Sequence, residues 1–133
     1  MSNDAINENK QNYLECFDFE KFPISKKEFN IKAAGVSHFN EDTQTERQLI
    51  IKDAKIGEHL MLIPELDNPY DSYAVIIKRF NGFTIGYFPS GSNKEIFDKI
   101  NNRCFIDAEL IEKPFFEGTY GAVLKISVYG KKL

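Results

Sequence analysis

Tryptophan is absent from these 133 residues, and cysteine and histidine are scarce, at two each. Cys16 and Cys104 have no CxxC spacing, and His38 and His59 supply no third or fourth ligand. The sequence therefore offers no zinc site and no disulfide framework. So few thiols fit a reducing, cytoplasmic setting. No apolar run approaches the ~20 residues that cross a bilayer, and the polar, acidic start is unlike a secretory leader. Positive charge is in short supply too: 17 Lys and Arg against 20 Asp and Glu give a net charge of -3. A chain of that balance does not coat duplex nucleic acid by charge alone, although a local basic patch stays open. There is no Gly-rich phosphate loop, no HExxH and no defensible Ser/His/Asp order. No enzymatic activity, cofactor or metal is expected. Asp67 and Asp71 could be read as paired carboxylates of a hydrolase, but a rigid turn explains them more simply.

What is present is a core. Hydrophobic residues make up 42% of the chain, with 12 Phe and 6 Tyr, enough for one domain of ordinary size. Residues 1–28 read as a tail and arm, and residues 29–133 as the domain. The tail is polar and Asn-rich to Asn12 and is expected to be disordered. Tyr13, Leu14, Phe17, Phe19 and Phe22 then bring apolar groups close together, as a short helix or an aromatic arm packing across the domain would; an arm filling the end of a barrel is expected ahead of a partner-binding segment. Phe29, Ile31 and Ala33 alternate with polar neighbours and open the first strand. Residues 40–48 read as a loop, residues 48–55 as a short helical turn, and Leu60–Ile63 as a strand. Asn81-Gly82 between apolar runs is a hairpin signal. Ser92 and Glu95 have capping-box spacing ahead of Ile96, Phe97 and Ile100, which share one helical face. Residues 103–111 and 121–129 alternate as strands, with Cys104 expected to be buried in line with Ile106, Ala108 and Leu110. The residues between, Pro114–Tyr120, read as a long aromatic loop. The sum is a mainly β chain with one or two short helices: a small, partly closed β-barrel of about six strands with a capping helix.

The densest turn chemistry lies between the apolar runs Leu60–Ile63 and Ala74–Ile77. Pro69 fixes its own φ and moves Asn68 out of the helical region. Asp67, Asn68 and Asp71 can each fold a side chain back onto nearby amides. A rigid rim that presents Asn68, Tyr70 and Asp71 is the result. The pattern Asp67-Asn68-Pro69-Tyr70-Asp71-x-x-Ala74, followed by Ile85-Gly86-Tyr87, resembles the signature of the HIRAN domain family, over roughly Phe29 to Gly130.

That resemblance implies an SH3/OB-like barrel that binds single-stranded DNA at its 3′ end. By its motif, Tyr70 would contact the terminal nucleotide and Asp71 would accept a bond from the free 3′ hydroxyl. His38, Tyr87 and Tyr120 fall where the family has rings near the groove. The family's basic groove positions fall on Ser37 and Ser90, so either a neighbouring base such as Lys94 takes their part or the ligand differs. The resemblance also implies a targeting role in DNA repair or mobile-element biology, beside a protein partner carrying helicase or nuclease activity. The rival reading is a protein-interaction module that takes a peptide or a partner's chain end in the same groove.

Overall fold

Alternation of apolar and polar residues sets the architecture. The computed structural model describes residues 24–131; the arm residues Tyr13, Leu14, Phe17, Phe19 and Phe22 lie outside them. Six strands form the main sheet: β1 (Ile24–Lys32), β4 (His59–Pro64), β5 (Val75–Arg79), β6 (Thr84–Tyr87), β7 (Phe105–Glu112) and β10 (Val123–Lys131). Two short pairs stand apart, β2 (Phe39–Asn40) with β3 (Thr45–Glu46) and β8 (Phe115–Phe116) with β9 (Thr119–Tyr120). The helices are α1 (Arg47–Asp53) and α2 (Asn93–Asn101).

The sheet runs β1-β10-β7-β4-β5-β6 with antiparallel neighbours. It curls until its two edges meet. Just beyond β1, the Ala34 N–H donates to the Tyr87 carbonyl at 2.8 Å, and the Tyr87 N–H returns a bond to the Ala34 carbonyl at 2.9 Å. This bridge makes the barrel partly closed, as the sequence predicts, and both the expected capping helix and the short helical turn are present as helices. Leu60, Leu62, Val75, Ile77, Ile106, Ala108, Leu110, Leu124 and Ile126 fill the interior.

Closure requires glycine at Gly86. A Cβ there would sit 2.5 Å from the Ala34 carbonyl oxygen, inside any permitted contact. The Gly86 of the sequence motif is therefore the point where one backbone passes against another.

Several local expectations shift. β1 begins at Ile24, ahead of Phe29. The Asn81-Gly82 hairpin uses a three-residue loop: the Gly82 N–H donates to Arg79 O, the Arg79 N–H donates to Phe83 O, and Gly82 takes φ +95°. Such a loop ends in a left-handed glycine and a bulge. Ser92 is the N-cap of α2, but its side chain makes no capping bond. Glu95 instead reaches Lys27 at 3.6 Å, with both side chains exposed, so the capping box is not formed. Pro114–Tyr120 is a tight hairpin rather than an open loop. Glu117 and Gly118 both take positive φ, 50° and 82°, which fits the right-handed strand twist at a two-residue turn. Cys104 is half-buried, just ahead of β7 rather than inside it.

Candidate functional site

The rim between β4 and β5 is held by its own side chains. The Asn68 carboxamide oxygen accepts the N–H of Tyr70 at 2.8 Å and of Asp71 at 2.9 Å. Its amide nitrogen donates to Glu65 Oε1 at 2.7 Å. Asp71 Oδ1 accepts the Tyr73 N–H at 2.9 Å, and Oδ2 accepts Asn93 Nδ2 from the first turn of α2 at 2.8 Å. The Glu65 N–H donates to Ala74 O across the base of the loop at 2.8 Å. Pro69 narrows the backbone choices further. Tyr70 is left almost fully in solvent, 96% exposed.

Facing this rim is the seam that closes the barrel. Together they bound an open cleft of about 360 Å³, whose walls include Gly35, His38, Arg47, Asn68, Tyr70, Asp71, Tyr87 and Ser90. Tyr87 forms part of the wall and donates its hydroxyl to Glu65 at 2.9 Å. Burial first, and then this bond to a carboxylate, raise the phenol above its ordinary range.

Arg47 is the cation of the cleft. Its Nε donates to Asn40 Oδ1 and its Nη1 to Gly35 O, both at 2.8 Å. Its guanidinium lies 5.4 Å from the centre of the Tyr87 ring. Both hydrogen-bond acceptors are neutral, and no carboxylate pairs with Arg47 among the described residues. The guanidinium thus lines the same cleft as Asp71 and Tyr70.

His38, Asn68, Tyr70, Asp71 and Tyr87 are brought together by the fold. Two other sequence candidates stand outside the cleft. Lys94 is turned to Asp98 at 3.0 Å and to the Tyr73 ring at 5.3 Å; its neighbour Asn93 reaches Asp71 instead. Tyr120 packs on Phe115, with ring centres 4.7 Å apart, and its backbone is gripped by Gln48. Ser90 is a wall at one of the groove positions that the resemblance implies, whereas Arg47 is a wall that sequence reasoning did not select. Arg47 falls in a stretch read as a polar loop, and its partners come from β2, the residues after β1, and β6, so no local spacing marks it.

A larger groove of about 730 Å³ lies elsewhere on the molecule, lined by Phe39, Leu49, Phe83 and Arg79 among others. Its arginine is already neutralised. Arg79 is 8% exposed and binds both oxygens of Glu58, at 2.6 and 3.0 Å, and Asp53 at 2.9 Å. The smaller cleft, with its unneutralised cation and motif loop, is the better candidate.

The HIRAN domain family model matches residues 26–114, two thirds of the chain and all of the motif. The chain belongs to the HIRAN domain family. Among solved structures, the HIRAN domain of human HLTF is similar at a TM-score of 0.60 and 17% identity, over 79% of this chain and 77% of that one. A protein from Lactobacillus plantarum is similar at a TM-score of 0.61 and 11% identity, over 79% of this chain and 98% of that one. At such identities these two neighbours speak to the fold alone. No curated protein matches this chain. No helix among the described residues is long and apolar enough to cross a membrane, and they hold no cluster of metal-ligating side chains.

Proposed function

We propose that this HIRAN cleft binds the 3′-hydroxyl end of single-stranded DNA and performs no reaction on it. HIRAN domains are DNA-binding modules, and the observation that supports the finer reading is the presence of Arg47, with no carboxylate partner among the described residues, and Asp71 among the walls of one small cleft. An unneutralised guanidinium suits a backbone phosphate. The Asp71 carboxylate already takes one N–H on each oxygen. A carboxylate has about four acceptor positions, so a hydroxyl can still be received. A terminal phosphate would be repelled, and a continuing strand has no hydroxyl to donate. The exposed Tyr70 ring offers a stacking surface that any base can use.

Anisotropy titrations with short oligonucleotides ending in a 3′ hydroxyl or a 3′ phosphate test this reading. The hydroxyl form should bind about 10- to 150-fold tighter, the range of one charge-assisted bond. Asp71→Asn, which keeps an oxygen for the Tyr73 amide, should erase most of that preference. Tyr70→Ala should weaken both forms by about 1–3 kcal/mol with an unchanged melting temperature. Equal binding of the two ends by the parent protein, or no binding at low salt, would remove the proposal.

Arg47 makes a separate prediction. Arg47→Ala should weaken binding of every sequence alike and make the slope of log K against log salt shallower by about one unit. An unchanged slope would mean that Arg47 meets no phosphate.

A further inference from the structure

Three side chains on the outer side of the barrel are buried without belonging to its interior. By alternation with Ile106 and Ala108, Phe105 and Asp107 face outward. Ser127 does so by alternation with Ile126 and Val128, and Phe80 follows β5 in the register of Ile76 and Lys78. Yet Phe105 is 8% exposed, Ser127 2% and Phe80 3%. Neither phenylalanine belongs to the core cluster. Ile63, outward-facing on β4 at the edge of this region, is 37% exposed.

These residues form a band. Tyr129 lies opposite Phe105, and Ser127 opposite Asp107. His59 on β4 binds Asp107 at 2.8 Å, with the two side chains only 28% and 21% exposed. β4 is paired in turn with β5, whose last residue, Arg79, precedes Phe80. The band thus crosses β10, β7 and β4 and ends at the tip beyond β5. The helices pack elsewhere, α1 on β3, β6 and β9 and α2 on β5.

The chain preceding β1 starts at one end of this band. Ile24 is opposite Lys131, and Lys26 is opposite Tyr129, which is itself opposite Phe105. Immediately ahead of Ile24 come Tyr13, Leu14, Phe17, Phe19 and Phe22. We propose that residues 13–23 dock along the outer face of the barrel, from the Phe105–Tyr129 pair over Ser127 and His59–Asp107 toward Phe80. Three strand steps span roughly 15 Å at ~4.8 Å each. An extended stretch from Tyr13 to Pro23 reaches up to about 36 Å, more than enough. The tilted Phe105 and Tyr129 rings, 5.7 Å between centres, give an aromatic segment a matching platform.

A two-by-two comparison tests the docking: Ser127→Arg in the full chain and in a chain lacking residues 2–23. Under a docked arm the long cation has no room, so the full chain should lose about 5 °C or more in melting temperature. On an open face it should be tolerated, so the shortened chain should change by no more than about 1 °C. Equal losses in both would overturn the proposal. If the shortened chain does not fold, a nitroxide on Cys16 in a Cys104→Ser background gives the answer in the intact protein. Amide signals from 105–109 and 125–129 should be broadened and those from 66–72 spared. Unaffected β7 and β10 signals, or broadening that vanishes when labelled protein is diluted with unlabelled protein, would overturn it. The second pattern would place the arm on another copy of the chain.

Discussion

Gly86→Ala is expected to lower the melting temperature by roughly 10 °C or more and to abolish ligand binding. The added carbon would meet the Ala34 carbonyl oxygen at 2.5 Å, and that oxygen is backbone, with no rotamer to relax into. It also accepts the Tyr87 N–H that closes the barrel. Relief means opening the seam, which loses two backbone bonds at about 1 kcal/mol each and disturbs the packing around Val36 and Ala33. Overpacking of this kind costs about 1–3 kcal/mol by itself. Gly35 and Tyr87, two walls of the cleft, would separate in the same event. Gly91→Ala is the control, since nothing lies within 4 Å of its added carbon. A Gly86→Ala protein that melts within about 2 °C of the parent would show that the seam is not needed.

Arg79→Met should be nearly as damaging, for an electrostatic reason. Glu58 is 16% exposed at its side chain, and both of its oxygens rely on this guanidinium. Burial alone would make the guanidinium easier to deprotonate, but its bonds to Glu58 and Asp53 outweigh that and raise it further. Removing only the arginine strands a poorly solvated carboxylate, a loss of about 3 kcal/mol or more by urea denaturation. The double variant Arg79→Met/Glu58→Leu should regain most of it. A double variant no more stable than the single one would refute this account. The Arg79 bond also holds the exposed Asp53 carboxyl below its usual range. A depressed carboxyl contributes its stability above its unfolded value and loses it as pH falls through the folded one. That acid-side loss should be present in the parent and missing in Arg79→Met.

The sequence made the strands legible because their signal is local. Ile106, Ala108 and Leu110, and likewise Leu124, Ile126 and Val128, are marked by a period of two and are buried as that period requires. The rim was legible for the same reason, since Asn68, and Asp71 through its Oδ1, act within three residues of themselves; the Asp71 Oδ2 bond from Asn93 has no such local mark. Arg47 was not, because its contacts are to Gly35 and to Tyr87 across the barrel. The failed capping box at Ser92 shows the limit of a local rule. The spacing is present, but the N-cap backbone, at φ -133° and ψ 10°, departs from the extended form that aims the hydroxyl at the helix amides. The β8–β9 hairpin was hidden because its turn asks Glu117, a residue without special turn chemistry, for a positive φ.

The carboxamide of Asn68, clamped between Glu65 and two loop amides, has a kinetic consequence. A loop tied down in this way is expected to hold, before any ligand arrives, the shape that the proposed binding needs. Arrival of a ligand is then limited by diffusion and orientation rather than by a folding step, at about 10⁵–10⁷ per molar per second for typical encounters. With little of the population in another shape, the measured dissociation constant should stay close to the intrinsic one. Variation in affinity among ligands should therefore reside in how long each one stays.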